Sequence, residues 1–152
     1  MLRNALAQAC APRVPLPYAL SPIPRARLQP YAPCMTGTRV LVVDDHEAFR
    51  RAAVALLESE GMEVVGTADS GSGALAELDR CEPDVVLLDY VLPDQDGVTV
   101  ASAIRKRPNP PAVILISSYS EAASDPRVRG ASIIGFLAKQ DLTCTAIRDL
   151  LD

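Results

Sequence analysis

The sequence predicts an open, doubly wound α/β sheet, and three observations carry that reading. Five short apolar runs follow one another from Thr38 onward, segments of helical period separate them, and a polar or charged residue stands at the end of most runs. Continuous hydrophobicity rich in Val and Ile, without alternation, marks parallel strands covered on both faces. Strands joined by right-handed helical crossovers build one sheet with helices on its two sides. Sheets of this kind place their sites at the carboxyl ends of the strands, beside the point where strand order reverses.

The runs are "RVLVV" (39–43), "EVVGTA" (63–68), "DVVLL" (84–88), "AVILI" (112–116) and "IIGFLA" (133–138). The first crossover, His46 to Glu60, sets Phe49, Ala53, Leu56 and Leu57 on one helical face, and Gly61 supplies its stop. The second runs near Ser70 to Arg80 with Leu75 and Leu78 inward. The third follows Gly97 with Val100 and Ile104, and its "RKR" at 105–107 suits a helix C-terminus before Pro108. The fourth contains Pro126, which fits a short helix capped by Asp125 with proline at its first position, or an irregular segment. The last, about Thr143 to Leu151, buries Ile147, Leu150 and Leu151.

Composition divides the chain. Residues 1–34 hold no Asp or Glu, four Arg and seven of the 13 prolines, which leaves 35–152 with 11 Lys/Arg against 19 Asp/Glu and a net charge of −8. A stretch so rich in proline forms neither a continuous helix nor a strand, so residues 1–36 read as a disordered leader and 37–152 as one folded domain. Met35 before "TGTRVLVVDD" looks like a natural start. The acidic balance argues against direct nucleic-acid binding, and no apolar run approaches the roughly 20 residues of a membrane span. Cys10, Cys34, Cys81 and Cys144 lie far apart with no paired spacing, and read as reduced thiols of a cytoplasmic protein.

The strand ends collect the chemistry. Asp44-Asp45 follows the first run, Asp89 the third, Ser117-Ser118 the fourth, and Lys139 the fifth. Clustered carboxylates repel one another at low effective dielectric unless a cation intervenes. Mg²⁺ suits such a site, because it takes a few carboxylates and keeps positions for water or phosphate oxygens. With charge neutralised, one carboxylate can attack phosphorus and carry an acyl phosphate. Asp89, ending the middle strand, is the candidate.

"VLVVDDHEAFR", "DVVLLDYVLPDQDG", the serine after "VILI" and "GFLAK" occur in one order over nearly all of residues 38–152, and the chain resembles the receiver domain of bacterial two-component response regulators. The resemblance implies a flavodoxin-like five-stranded parallel sheet of order 2-1-3-4-5. It implies that Asp89 accepts a phosphoryl group from a phosphohistidine on a sensor histidine kinase or phosphotransfer protein. Asp44 and Asp45 would hold Mg²⁺ together with Asp89 and the backbone carbonyl of Val91. Ser117 and Lys139 would bind phosphoryl oxygens, and Phe136 matches the family's aromatic switch position. Asp-Asp-His with Arg50 is similar to the branch whose members usually carry a helix-turn-helix output domain. No such domain follows Asp152, so the expectation is a stand-alone receiver acting on a protein target, not a turnover enzyme. Gln140 stands where many members have proline, which questions a cis peptide there.

Each residue also has a local reading. Asp44-Asp45 alone reads as a helix cap, Lys139 as a surface charge, Phe136 as core, and Ser117 as a strand-end hydroxyl bonded to nearby backbone. His46 reads as an ordinary first-turn residue, and Asp94 and Asp96 as turn formers. Two rival functions use the same residues. A haloacid-dehalogenase-type phosphohydrolase also has a strand-end aspartate and Mg²⁺, but places a second acid where this chain has Val91. A pseudo-receiver would bind partners without phosphorylation.

Overall fold

A computed structural model describes residues 37–152. The leader expected over 1–36, with Cys10 and Cys34, lies outside the described residues. The five runs form β1 (Arg39–Val43), β2 (Glu63–Ala68), β3 (Val85–Asp89), β4 (Ala112–Ser117) and β5 (Gly135–Ala138). They alternate with α1 (Glu47–Ser59), α2 (Gly71–Cys81), α3 (Gly97–Arg105) and α4 (Pro126–Gly130), and α5 (Cys144–Leu151) closes the series. All pairings are parallel and the order is β2-β1-β3-β4-β5, so this is the flavodoxin-like doubly wound sheet.

Side chains alternate across a strand, so each central strand supplies two cores. Val40, Val42, Val85, Leu87, Ile114 and Ile116 pack with Ala53 and Leu57 of α1 and Ile147 of α5. Their neighbours Leu41, Val43, Val86, Leu88, Val113 and Leu115 face α2, α3 and α4 through Ala74, Leu78, Val100, Ile104 and Val128. Each large aliphatic side chain removed from water contributes about 1.5–3 kcal/mol. With β1, β3 and β4 covered on both faces, their carboxyl ends form a rigid base for whatever stands there.

The helix ends follow local chemistry. Ser70 accepts from the Gly73 N–H at 3.1 Å, Asp96 from Thr99 at 2.8 Å and Thr143 from Ala146 at 3.0 Å, each satisfying a first-turn donor. Gly61 ends the α1 turn with φ +87°, in the left-handed region glycine adopts without strain. The Pro126 segment takes both expected forms in succession: an irregular 3-10 turn over Ser120–Ser124, then α4 with Asp125 as cap and Pro126 at its first position.

Two expectations need correction. β2 and β5 are the sheet edges and are largely half-buried, because a helical layer covers an edge strand less completely than a central one. In α5 only Ile147 of the three named residues is buried, while Leu150 and Leu151 are half-covered at the end of the chain. As expected, α3 ends within the basic run at 105–107, with Arg105 its last residue and Lys106 its C-cap, while Arg107 reaches across to α2, donating to the Leu75 carbonyl at 3.1 Å and pairing with Asp79.

Gly97 opens α3 against the end of β3. A methyl group there would collide with the Asp89 carbonyl oxygen and lie 3.0 Å from the Tyr90 Cα, both backbone atoms of the rigid sheet. Gly97→Ala is expected to lose about 1–3 kcal/mol of stability by overpacking. Urea denaturation checks this: the midpoint falls while the slope is unchanged, and an unshifted midpoint contradicts it.

Candidate functional site

The rim is built from strand ends. Asp44 follows β1, its N–H bonded to the Ala68 carbonyl at 3.0 Å, and Asp89 is the last residue of β3, paired in register with Ile116. Ser117 ends β4 opposite Ala138, and Lys139 follows directly after β5. The structure therefore brings Asp44, Asp89, Ser117 and Lys139 together from four strands. Asp44, Asp89 and Ser117 are 0%, 3% and 1% exposed, whereas Asp45 faces solvent at the mouth.

Lys139 is the centre of charge. Its ammonium lies 3.1 Å from Asp89 Oδ2 and in ion-pair contact with Asp44 Oδ2. Burial works against the charged lysine, yet the two carboxylates outweigh it and raise its pKa above the ordinary value. Asp89 is raised as well, by burial first and by the Asp44 charge second, and Lys139 offsets this only in part. Although Asp44 Oδ2 touches the ammonium, it accepts no hydrogen bond of regular geometry. A fully buried carboxylate thus keeps lone-pair capacity for a cation.

Asp44, Asp45, His46 and Asp89 each offer one ligand atom, all within 4.8 Å of one another, a spread that a single metal ion can gather. The oxygen-rich donor set suits a hard divalent cation. Val91 lies two residues beyond Asp89, and its N–H donates to Asp89 Oδ1 at 3.3 Å. Ser117 accepts the Tyr119 N–H at 3.0 Å, the local backbone bond that its bland reading foresaw, while Ser118 is exposed. Phe136 is half-buried against the α2–α3–α4 core. The peptides among the described residues are all trans, that after Lys139 included.

Several residues do more than their local readings. His46 occupies the N-cap position of α1; its N–H donates to Asp44 Oδ1 at 2.8 Å and its ring nitrogen Nδ1 lies 2.8 Å from Asp45 Oδ1. Arg50 donates to the Asp44 carbonyl at 2.6 Å. Asp94 docks on the start of α2, taking the N–H groups of Gly71 and Ser72 at 2.8 and 2.9 Å, and these bonds hold its pKa at about 2. Asp96 caps α3 and pairs with Arg127 at 3.0 Å. Arg127 also binds Asp125 at 2.9 Å and the Tyr90 hydroxyl at 3.2 Å, while that hydroxyl donates to Asp125. Arg127 first and Tyr90 second hold the Asp125 pKa at about 2. Sequence periodicity is blind to this clip, because Tyr90, Asp96, Asp125 and Arg127 meet only when β3 and α4 are adjacent. For His46 a signal existed in its position directly after two acids.

The comparisons with known proteins agree with this fold. The family model of the response regulator receiver domain matches residues 40–148. The chain belongs to that family. It is 40% identical over 115 residues to a probable transcriptional regulatory protein, NarL, of Mycobacterium tuberculosis, covering 75% of this chain and 53% of the relative. The solved signal receiver domain of NarL from that organism has a TM-score of 0.68, and the alignment covers 76% of this chain and 97% of that one. The receiver domain of Thermotoga maritima CheB gives 0.62 at 28% identity, covering 75% of this chain and 88% of that one. The chain spans about half the length of the first curated relatives it matches. No helix among the described residues is long and apolar enough to cross a membrane.

The raised pKa of Asp89 fixes the sign of a pH effect. Its folded form binds a proton more tightly than the unfolded chain, whose value is near 3.8, so ionised Asp89 destabilises the fold at neutral pH and has no such effect below 3.8. In metal-free buffer Asp89→Asn should unfold at a higher temperature than the natural chain near neutral pH, the gap closing as pH falls below that value. An equal or lower midpoint at neutral pH counts against it.

Arg127 is exposed, so its ion pairs contribute at most about 1 kcal/mol to global stability. Arg127→Ala should leave the melting temperature nearly unchanged while speeding amide exchange in α4, whose only buried side chain is Val128. Unaltered exchange across 126–130 would show the clip to be idle.

Proposed function

We propose that this receiver domain is a phosphorylation-controlled switch, with both the modification and its structural read-out residing in residues 37–152. The supporting observation is the buried Asp89 carboxylate at the end of β3, 3.1 Å from the Lys139 ammonium and beside Asp44. In the proposed step an Asp89 oxygen attacks the phosphorus of a phosphohistidine on a sensor histidine kinase or phosphotransfer protein. The P–N bond breaks, its electron pair returns to the imidazole, which takes up a proton, and Asp89 becomes an acyl phosphate.

Lys139 pairs with the negative oxygens as charge builds on them, and its partial burial makes that pairing stronger than it would be in water. Ser117, whose oxygen accepts from the Tyr119 N–H, donates its hydroxyl proton to a phosphoryl oxygen. Mg²⁺, held by Asp44, Asp45, Asp89 and the Val91 carbonyl, would supply further positive charge against the phosphoryl oxygens. His46, hydrogen-bonded to Asp44 through its backbone, keeps that carboxylate facing the mouth.

The added group carries about −1.5 to −2 charges and three acceptor oxygens. Movement of Ser117 and Lys139 toward it would draw on the β4–α4 side, where Phe136 is half-buried and α4 is held by few apolar contacts. The state so formed is read by a downstream protein in the cytoplasm. Val91, 52% exposed where a haloacid-dehalogenase-type enzyme needs an acid, speaks for a switch over a hydrolase.

Incubation with acetyl phosphate and Mg²⁺, followed by intact-mass measurement, should give one phosphoryl adduct that is absent from Asp89→Asn and formed far more slowly by Lys139→Ala. No adduct on the natural chain would favour the pseudo-receiver, and continuous phosphate release from small phosphoesters the hydrolase.

A further inference from the structure

Lys139 has a third neighbour besides its two carboxylates. The Phe49 ring of α1 lies under its ammonium, 4.8 Å from nitrogen to ring centroid, within the range in which a cation is drawn to an aromatic face. Phe49 is half-buried, packed on the α1–α5 side of the core, so the ring is anchored from below. Lys139, by contrast, leaves the half-buried edge strand β5 on a long flexible stem and must span β4 to reach Asp89.

We propose that Phe49 is a positioning residue for the phosphoryl-transfer reaction, its ring holding the Lys139 ammonium turned toward Asp89. The inference rests on the switch reading above. Asp44 and Asp89 both bind the ammonium, but both are also the groups that a cation or a phosphoryl group would engage. When either carboxylate is engaged elsewhere, the lysine loses part of what keeps it inside. The quadrupole of the ring is not consumed by any of these partners, and it fixes the ammonium through every stage. The Phe49 contact is supported by its own turn of helix: Arg50, the next residue, ties α1 back to the Asp44 carbonyl at 2.6 Å, so the ring and the acid it serves are held to one another.

The test uses Phe49→Leu, which keeps apolar volume and removes the ring, and Phe49→Tyr, which keeps the ring. The first readout needs no phosphoryl donor. In the natural chain the Lys139 ε-methylene proton signals should show an upfield ring-current displacement, retained in Phe49→Tyr and lost in Phe49→Leu. The second is the rate of adduct formation from acetyl phosphate and Mg²⁺, expected to fall roughly 3- to 20-fold in Phe49→Leu and to recover in Phe49→Tyr. Thermal unfolding of both variants separates this from loss of fold, since a merely structural role predicts a rate that follows stability and not the presence of the ring. An undisplaced Lys139 signal in the natural chain overturns the proposal, as does a Phe49→Leu chain phosphorylated at the natural rate. Absence of any adduct on the natural chain instead strikes the switch reading, and the methylene signals still decide whether Phe49 holds the lysine.

Discussion

A half-buried ammonium between two buried carboxylates is the interaction on which the rim of this structure depends. Lys139, Asp44 and Asp89 each stand at the end of a different strand, and each is unfavourable where it stands without the others. Burial alone pushes Asp89 toward its neutral form and works against the lysine's charge. Together they form a cluster with one excess negative charge before Asp45 is counted. Such a cluster is electrostatically incomplete by design of its composition, and an incoming cation or an added acceptor group changes its balance at once.

The apolar architecture makes that cluster possible. The strands β1, β3 and β4 divide their side chains between two cores and leave nothing for their last residues to do except face the rim. Asp94 joins the loop after β3 to the start of α2, Asp96 caps α3, and Gly97 lets α3 approach the β3 backbone. The loop carrying Val91 is therefore held by two backbone-directed carboxylates and one close packing contact. A carboxylate mounted on such a base keeps its orientation with the Val91 N–H on one oxygen and the Lys139 ammonium on the other.

Flexibility is distributed unevenly in consequence. On the α1 side, Phe49, Arg50 and His46 all reach back to the acids or their lysine, and that half of the rim is doubly tied. On the other side α4 is five residues long, buries only Val128, and is fastened by a clip in which exposed Arg127 meets the half-buried Tyr90, Asp96 and Asp125. Surface ion pairs and one small apolar contact are weak restraints compared with the central strands. A rearrangement begun at Asp89 meets least resistance there.

The strands, their parallel sheet and the membership of Asp44, Asp89, Ser117 and Lys139 in one rim were legible in the chain, because buried parallel strands need unbroken hydrophobicity and their ends are the only places left for charge. The cap at Asp125 was equally local and equally readable. What only the tertiary structure decided are the contacts between residues remote in sequence. Asp94 looks like a turn former until α2 lies beside it, Arg107 like a helix terminus until Asp79 is near, and Phe49 like core until Lys139 crosses over it. The degree of burial was also decided there: β2 and β5 read as fully covered, yet as edges they are not. Periodicity reports which side of an element is apolar; it carries no information on which neighbour that side meets or how far a long polar side chain reaches, since both depend on packing between elements that share no local sequence.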